Sequence, residues 1–136
     1  MSIIEQNKAT IQGMYEQALN THRFELLGEY VAPEYTGPGG LKGAAGFGDP
    51  LRPLIIAFPD FHWQLDELVA EGDKVMIRWT VTGTHLGPLN GLAGTGKKVR
   101  SAGMGVFGMK DGKVTNGQVL TDRLGFCKSW GCCHWM

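Results

Sequence analysis

The spacing of hydrophobic and polar positions changes near residue 61 and divides the chain into a helical part and a strand part. Before that point, apolar residues recur three and four positions apart, which is typical of one face of an α-helix. This spacing predicts a first helix over about residues 3–20. Ser2 followed by Glu5 forms a capping-box signature at its start.

Two shorter helices are predicted before the pattern changes. The first follows a polar break after residue 20 and ends before Pro33. The second covers about residues 50–57, with Asp49 as its N-cap and Pro50 at the first helical position.

From Phe61 onward, apolar and polar residues alternate, which predicts half-buried strands. Four strands are expected, beginning at Phe61, Val75, Lys98 and Val114. An Asp-Gly pair at 111–112 predicts a tight hairpin turn between the last two. Helices followed by antiparallel strands indicate an α+β fold with the helices on one face of the sheet. We expect a single domain over residues 1–131 and a C-terminal tail over 132–136.

Composition and charge narrow the possible partners. The 136 residues include 13 basic and 13 acidic ones, 43% are hydrophobic and 19% are charged. Balanced charge argues against nucleic acid or an anionic membrane as the main partner, because both select clustered basic residues. No apolar run approaches the ~20 residues of a membrane span, and the N-terminus does not resemble a signal peptide. The sequence therefore predicts a soluble, cytoplasmic protein whose partner is a small neutral molecule.

Glycine is abundant, at 21 of 136 residues, and three glycines fall inside the third strand. Gly103, Gly105 and Gly108 either bend this strand or allow close packing against bare backbone. The pattern leaves these two interpretations open.

The three cysteines all lie in the last ten residues, beside a histidine. Zinc sites usually combine two closely spaced cysteines with a second ligand pair farther along the chain. Cys127, Cys132, Cys133 and His134 form one cluster without such a second pair, so we predict no metal site.

Several short motifs occur together in a characteristic order. They are Phe58-Pro59-Asp60, Val69 to Val75 (VAEGDKV), Arg78 to His85 (RWTVTGTH), Gly94 to Val99 (GTGKKV), Phe107 to Val114 (FGMKDGKV) and Asp122-Arg123-Leu124-Gly125. In order and spacing they resemble the SnoaL-like polyketide cyclase family, and the likeness covers about residues 5–131.

The resemblance implies a fold similar to nuclear transport factor 2 and ketosteroid isomerase, an α+β conical barrel in which three N-terminal helices pack on a curved antiparallel sheet around a deep apolar pocket. It implies an enzyme that closes a ring of a polyketide ester by intramolecular aldol condensation, without metal or cofactor. It also implies a homo-oligomer, most simply a dimer. The family's general acid/base is an aspartate that precedes a Leu-Gly segment, which corresponds to Asp122.

Asp122 shares its strand parity with Gln118 and Leu120. If that face lines the pocket, the carboxyl would be placed to exchange protons with a substrate. The alternative is an N-cap for a short helix that starts at Arg123, and the two roles are compatible.

The pocket lining is expected to be mostly aromatic and aliphatic, with few polar groups. Residues of this kind are first of all core, but in a hollow fold they can serve both purposes. The candidate binding residues are Tyr15, Trp63, Trp79, His85, Met104, Val106, Gln118 and Leu120. His85 is expected either at the pocket mouth, polarising a carbonyl, or as an exposed loop residue.

Arg78 supports two further interpretations. It could pair with Asp66 on the neighbouring strand. Alternatively, Arg78, Asp66 and Asp122 could all point into one cavity, as in a limonene epoxide hydrolase-like site on the same fold.

The sequence also departs from the family at polar positions. Asn116 and Gln118 stand where Glu and Trp are frequent, Thr36-Gly37 replaces a common histidine, and Gly105 and Gly108 replace a carboxylate and an arginine. These changes favour a second hypothesis, in which the protein binds a small molecule without catalysis.

Overall fold

The computed structural model describes residues 2–89 and 91–122. Three α-helices occupy the first half, α1 (Ile3–Gly13), α2 (Gly43–Gly48) and α3 (Arg52–Ala57). The second half forms one sheet from β1 (His62–Glu71), β2 (Lys74–Thr84), β3 (Lys98–Lys110) and β4 (Lys113–Thr121).

The first helix follows the sequence prediction closely. The Ser2 hydroxyl accepts the backbone N–H of Glu5 at 3.1 Å, as a capping box requires. After α1, the chain continues as a π-helix over Met14–Leu19. The helical region therefore spans the predicted length, but its last part is wider than an α-helix.

The third predicted helix needs a correction at its start. The chain is already helical at α2, which sequence reasoning missed because glycines 43, 46 and 48 weaken the helical pattern. Asp49 is not an N-cap. It lies in a single 3₁₀ turn, Asp49–Leu51, and its carboxylate accepts Arg52 Nε at 3.0 Å. A further 3₁₀ segment, Phe24–Glu29, occupies the place of the second predicted helix.

The strands are antiparallel and lie in the order β1-β2-β3-β4, so each strand pairs with its neighbour in the chain. Three N-terminal helices packed on a four-stranded antiparallel sheet confirm the predicted α+β fold. Asp111 and Gly112 both have positive φ in the β3–β4 turn, at 52° and 76°. This is the conformation that an Asp-Gly hairpin turn adopts.

The sheet has a buried inner face and an exposed outer face. On β2, the side chains of Val75, Ile77, Trp79 and Val81 are buried, and the alternating residues Met76 and Arg78 are exposed. The buried residues join those of α1 and the π-helix in one hydrophobic core.

Two glycines of β3 confirm the close-packing interpretation, and the third lies at an irregularity of the sheet. Gly108 lies at a register shift between β3 and β4, where the ladder is irregular. At Gly103 and Gly105, a Cβ atom would lie 2.8 Å from the ring of Trp79 and 3.0 Å from the ring of Phe107. These two glycines therefore allow aromatic rings to lie directly on the strand backbone.

No described helix is long and apolar enough to cross a membrane. The described residues also contain no group of three or more His, Cys, Asp or Glu side chains that could hold a metal ion. The predicted tail and the cysteine cluster at 127–134 lie outside the described residues.

Candidate functional site

A cavity of about 680 Å³ lies between the inner face of the sheet and the helical half of the chain. It is partly open to solvent. Its described wall residues are Tyr15, Tyr35, Thr36, Gly37, Pro38, Gly46, Phe47, Pro50, Leu51, Leu54, Phe61, Trp63, Trp79, Val81, Gly117, Val119 and Thr121.

Tyr15 of the π-helix lies at the centre of the aromatic part of this wall. Its ring centroid is 6.1 Å from that of Trp63, 5.9 Å from Trp79 and 6.4 Å from Phe107. Such distances fall within the range of favourable aromatic pairs. The rings therefore brace one another, and the wall keeps its shape through packing in the core.

Asn20, the residue after the π-helix, fixes this wall to the sheet. Its Nδ2 donates to the carbonyl oxygen of Trp63 at 2.9 Å, and its Oδ1 accepts the N–H of Trp63 at 2.8 Å. The side-chain amide thus hydrogen-bonds to β1 much as a neighbouring strand would. This clamp sets the distance between the helix that carries Tyr15 and the strand that carries Trp63.

The opposite part of the wall contains Tyr35 and Phe47, whose ring centroids are 5.7 Å apart in an edge-on contact. Phe47 also lies 6.3 Å from Phe107 of β3, a fully buried residue behind the wall. Close packing of two backbone segments also holds this part of the wall. At Gly46, a Cβ atom would clash with the carbonyl oxygen of Leu41.

The described wall contains no Asp, Glu, His, Lys or Arg side chain, and its polar groups are hydroxyls, indoles and backbone. Burial raises the pKa of Tyr15 far above its ordinary value, with Tyr35 as a second cause. Burial also raises the pKa of Tyr35. Both phenols therefore stay protonated at neutral pH and are available as hydrogen-bond donors.

Three of the residues predicted from sequence lie together on this wall. They are Tyr15, Trp63 and Trp79, which are 3%, 5% and 3% exposed. The structure shows that they pack in the core and also contact the cavity.

Four other predicted binding residues lie elsewhere. Met104, Val106, Gln118 and Leu120 are exposed on the outer face of the sheet and do not line the cavity. The apolar character of Met104, Val106 and Leu120 suggested an inward orientation, and Gln118 shares the strand parity of Leu120. The inner positions of β3 and β4 include glycines, which give no hydrophobic signal, so the alternation alone favoured the wrong face.

Asp122 directly follows Thr121, a wall residue. Because side chains alternate between the two faces of a strand, the exposed side chain of Asp122 falls on the outer face, with Gln118 and Leu120. The expectation that the face of Gln118 and Leu120 lines the cavity is therefore corrected. The backbone of Asp122 is held firmly to β3. Its N–H donates to the Ala102 carbonyl at 2.9 Å, and its carbonyl accepts Ser101 Oγ at 2.8 Å. The helix-cap alternative depends on Arg123, which lies outside the described residues.

His85 is completely buried, and neither predicted position, at the cavity mouth or exposed in a loop, fits the structure. Its Nδ1 accepts the N–H of Thr95 at 3.2 Å and lies 3.1 Å from the Thr95 hydroxyl. Its ring centroid is 5.4 Å from that of Phe58. In the described structure His85 anchors the glycine-rich β2–β3 connection.

Arg78 lies on the outer face, where it forms an ion pair with Glu67 at 2.7 Å and a longer one with Asp66 at 3.8 Å. Thr80 Oγ1 donates to Asp66 at 2.6 Å. The paired interpretation is therefore confirmed. The epoxide hydrolase-like alternative required Arg78, Asp66 and Asp122 in one cavity, and none of the three lines it.

Sequence reasoning missed Tyr35, Phe47 and Thr121 as wall residues. Thr121 was detectable in principle. The alternation on β2 identifies Trp79 as an inner-face residue, and Thr121 lies on the same face because Gly103 pairs with both. Tyr35 and Phe47 lie in irregular segments, whose orientation no periodicity reveals.

The SnoaL-like polyketide cyclase family model matches residues 9–129, nearly the whole chain. The chain belongs to this family. The match includes all four strands and every described wall residue of the cavity.

Two relatives of this chain are both named aklanonic acid methyl ester cyclases. The aklanonic acid methyl ester cyclase DnrD of Streptomyces peucetius is 26% identical over 122 residues, covering 85% of this chain and 84% of its own. The aklanonic acid methyl ester cyclase AcmA of Streptomyces galilaeus is 27% identical over 129 residues, covering 90% and 89%.

Solved structures support the same family fold. A protein from Acidithiobacillus ferrooxidans assigned as a polyketide cyclase superposes with a TM-score of 0.81 at 30% identity, covering 94% of this chain and 96% of its own. TsrD from Streptomyces laurentii has a TM-score of 0.79 at 26% identity, covering 95% of each chain.

Proposed function

We propose that this protein is a cyclase that closes a ring within a neutral, aromatic polyketide carbonyl compound. The observation that carries this proposal is the cavity of about 680 Å³, whose described wall is aromatic and uncharged and offers hydroxyl groups. A flat, neutral compound with several carbonyl oxygens matches such a wall in size and polarity. Membership of the cyclase family supports the same reaction class.

The reaction we propose is an intramolecular aldol condensation. A base removes a proton from a carbon next to one carbonyl, and the resulting carbanion attacks a second carbonyl of the same molecule. A new carbon–carbon bond forms, and the alkoxide takes up a proton. The product is an isomer of the substrate, so no metal, cofactor or co-reactant enters the proposed scheme.

We assign the acid/base role to Asp122. The described wall lacks a carboxylate or histidine, so we place the base at its edge. Val119 and Thr121 are exposed, as are the wall residues Thr36, Pro38 and Pro50, whereas Tyr15 and the wall tryptophans are buried. The end of β4 therefore belongs to the open side of the cavity. Asp122 lies at that end, and its backbone is fixed by the hydrogen bonds to β3.

The test uses aklanonic acid methyl ester as the substrate and chromatography to separate the isomeric product. Asp122→Asn should lower kcat at least about a hundredfold, as expected for loss of a general acid/base. Asp111→Asn, in the β3–β4 turn, is the matched control because asparagine also tolerates its positive φ of 52°. Equal rates for the two variants, both folded, would contradict the role of Asp122.

A second candidate is a protein that binds such a compound without converting it. The observation that favours it is the uncharged described wall, which holds a ligand but supplies no proton-transfer group other than phenols. Saturable quenching of tryptophan fluorescence by the ester, with no isomer formed after prolonged incubation, would establish this alternative and reject the cyclase.

We further propose a homodimer formed through the outer sheet face. Met76 pairs with Val106 and Met104 with Leu120 across neighbouring strands, and all four side chains are exposed. Four strands about 4.8 Å apart and about ten residues long make a face of roughly 600 Å², close to the ~800 Å² that each partner buries in a standard interface.

A cytoplasmic location stays a prediction from composition.

A further inference from the structure

Tyr35 is a buried wall residue whose hydroxyl has no hydrogen-bond partner among the described residues. The residue is 8% exposed. The hydroxyl oxygen is nevertheless not completely enclosed by the described residues, so it remains accessible from the cavity. A ligand that covers this hydroxyl displaces its water, and covering the donor without accepting its hydrogen bond is costly.

The position of this phenol is fixed from three sides. The Tyr35 N–H donates to the Ala32 carbonyl at 3.1 Å, and the Tyr35 carbonyl accepts the N–H of Gly43 at 2.7 Å. The ring rests against Phe47 at 5.7 Å between centroids. The hydroxyl is therefore presented by a rigid backbone and a packed ring, which keeps the entropic cost of engaging a ligand low.

The surroundings determine which ligand group can accept this hydrogen bond. The described wall holds no charged side chain that would attract an ion. Tyr15, on the π-helix, supplies a second hydroxyl that also lacks a described partner. Two neutral donors on separate elements of an aromatic wall match a neutral ring compound that carries oxygen acceptors.

We propose that Tyr35 determines ligand specificity by donating its hydroxyl hydrogen to a carbonyl oxygen of the bound molecule. This inference rests on the proposed function and adds a residue that neither the sequence motifs nor the aspartate assignment includes. Tyr35 selects an oxygen-bearing ring over a hydrocarbon ring of the same shape, because only the former satisfies the buried donor.

The experiment measures binding, so it does not depend on turnover. The intact chain is titrated with 1-tetralone, an aromatic ketone, and with tetralin, the same skeleton without the carbonyl, by following tryptophan fluorescence. The wild-type protein should bind tetralone more tightly than tetralin. In Tyr35→Phe the affinity for tetralone should fall about five- to tenfold, the usual value of one neutral hydrogen bond, and the affinity for tetralin should not fall.

Tyr30→Phe is the matched control, since Tyr30 is only half-buried and does not line the cavity. It should leave both affinities unchanged. Unchanged tetralone binding in a folded Tyr35→Phe variant would overturn the role of Tyr35 and leave the proposed function standing. If the wild-type protein binds neither compound nor the polyketide ester, the proposed function fails as well.

Discussion

Tyr15 illustrates how one side chain can serve both the core and the cavity. Its ring contacts Trp63, Trp79 and Phe107, so it is part of the hydrophobic core. The residue also lines the cavity, and its hydroxyl has no described partner. The sequence predicted both roles from helical spacing and composition, but it could not show that the π-helix would carry this tyrosine.

Tyr15 also gives a prediction for the effect of alkaline pH. Its pKa is raised in the folded protein above the ordinary value of 10.0, because burial disfavours the phenolate. Above about pH 10 the folded state therefore binds more protons than the unfolded state, and the free energy of unfolding decreases as pH rises. The slope from one such group reaches about 1.4 kcal/mol per pH unit.

Urea unfolding at several pH values between 8 and 11 measures this slope. Tyr15→Phe removes the titrating group, so its free energy of unfolding should fall less steeply with pH than that of the wild-type protein. The two curves should run parallel below pH 9. Parallel curves across the whole range would show that the Tyr15 phenol is not protected from ionisation.

At the scale of elements, β3 differs most from an ordinary amphipathic strand. Gly103 and Gly105 occupy inner positions, and the rings of Trp79 and Phe107 cover them. Apolar side chains such as Met104 lie on the outer face instead. The strand itself was predictable from alternation, but its orientation was decided by the neighbouring aromatic rings.

Gly103→Ala tests this arrangement of rings over glycine. The new Cβ would lie 2.8 Å from the indole of Trp79, which is buried and lines the cavity. The ring must therefore shift, and we expect the free energy of unfolding to fall by about 1–3 kcal/mol, as in other overpacked cores. Tetralone affinity should fall as well, because the cavity wall moves.

Gly28→Ala is the appropriate comparison for this variant. Nothing lies within 4 Å of a Cβ atom at Gly28, and its φ is not positive. Its ligand binding should match that of the wild-type protein, and its stability should be equal or slightly higher, because alanine leaves the unfolded chain less freedom than glycine. If Gly103→Ala behaves in the same way in urea unfolding and ligand titration, the indole is not seated on the strand as the structure indicates.

At the scale of the whole molecule, the two faces of the sheet have different uses. The inner face and the helices enclose the cavity, whereas the outer face exposes the apolar side chains of Val69, Met76, Met104, Val106 and Leu120. An exposed apolar surface of this kind commonly marks an interaction site. The proposed dimer would remove it from water.

Met104→Glu tests the dimer directly, because Met104 is 46% exposed near the middle of the outer face. Light scattering after size-exclusion chromatography should give a dimer for the wild-type protein and a monomer for the variant. Ile56→Glu is the control. Ile56 is 62% exposed on α3, away from the sheet, so its variant should stay dimeric. A wild-type monomer at micromolar concentration would contradict the proposed interface.

The sequence by itself determined the first helical segment, the order and approximate boundaries of the four strands, and three aromatic members of the wall. Local periodicity and turn chemistry specify these features, because they depend on neighbours in the chain. The motif order also identified the family that the model match confirms.

Only the tertiary structure decided which residues meet at the cavity. A strand with glycines on its inner face gives a misleading hydrophobic signal, so Gln118 and Leu120 were assigned to the wrong side. Tyr35 lies in an irregular segment and reaches the wall through backbone hydrogen bonds to Ala32 and Gly43. Contacts between residues distant in sequence set these orientations, and no local pattern encodes them.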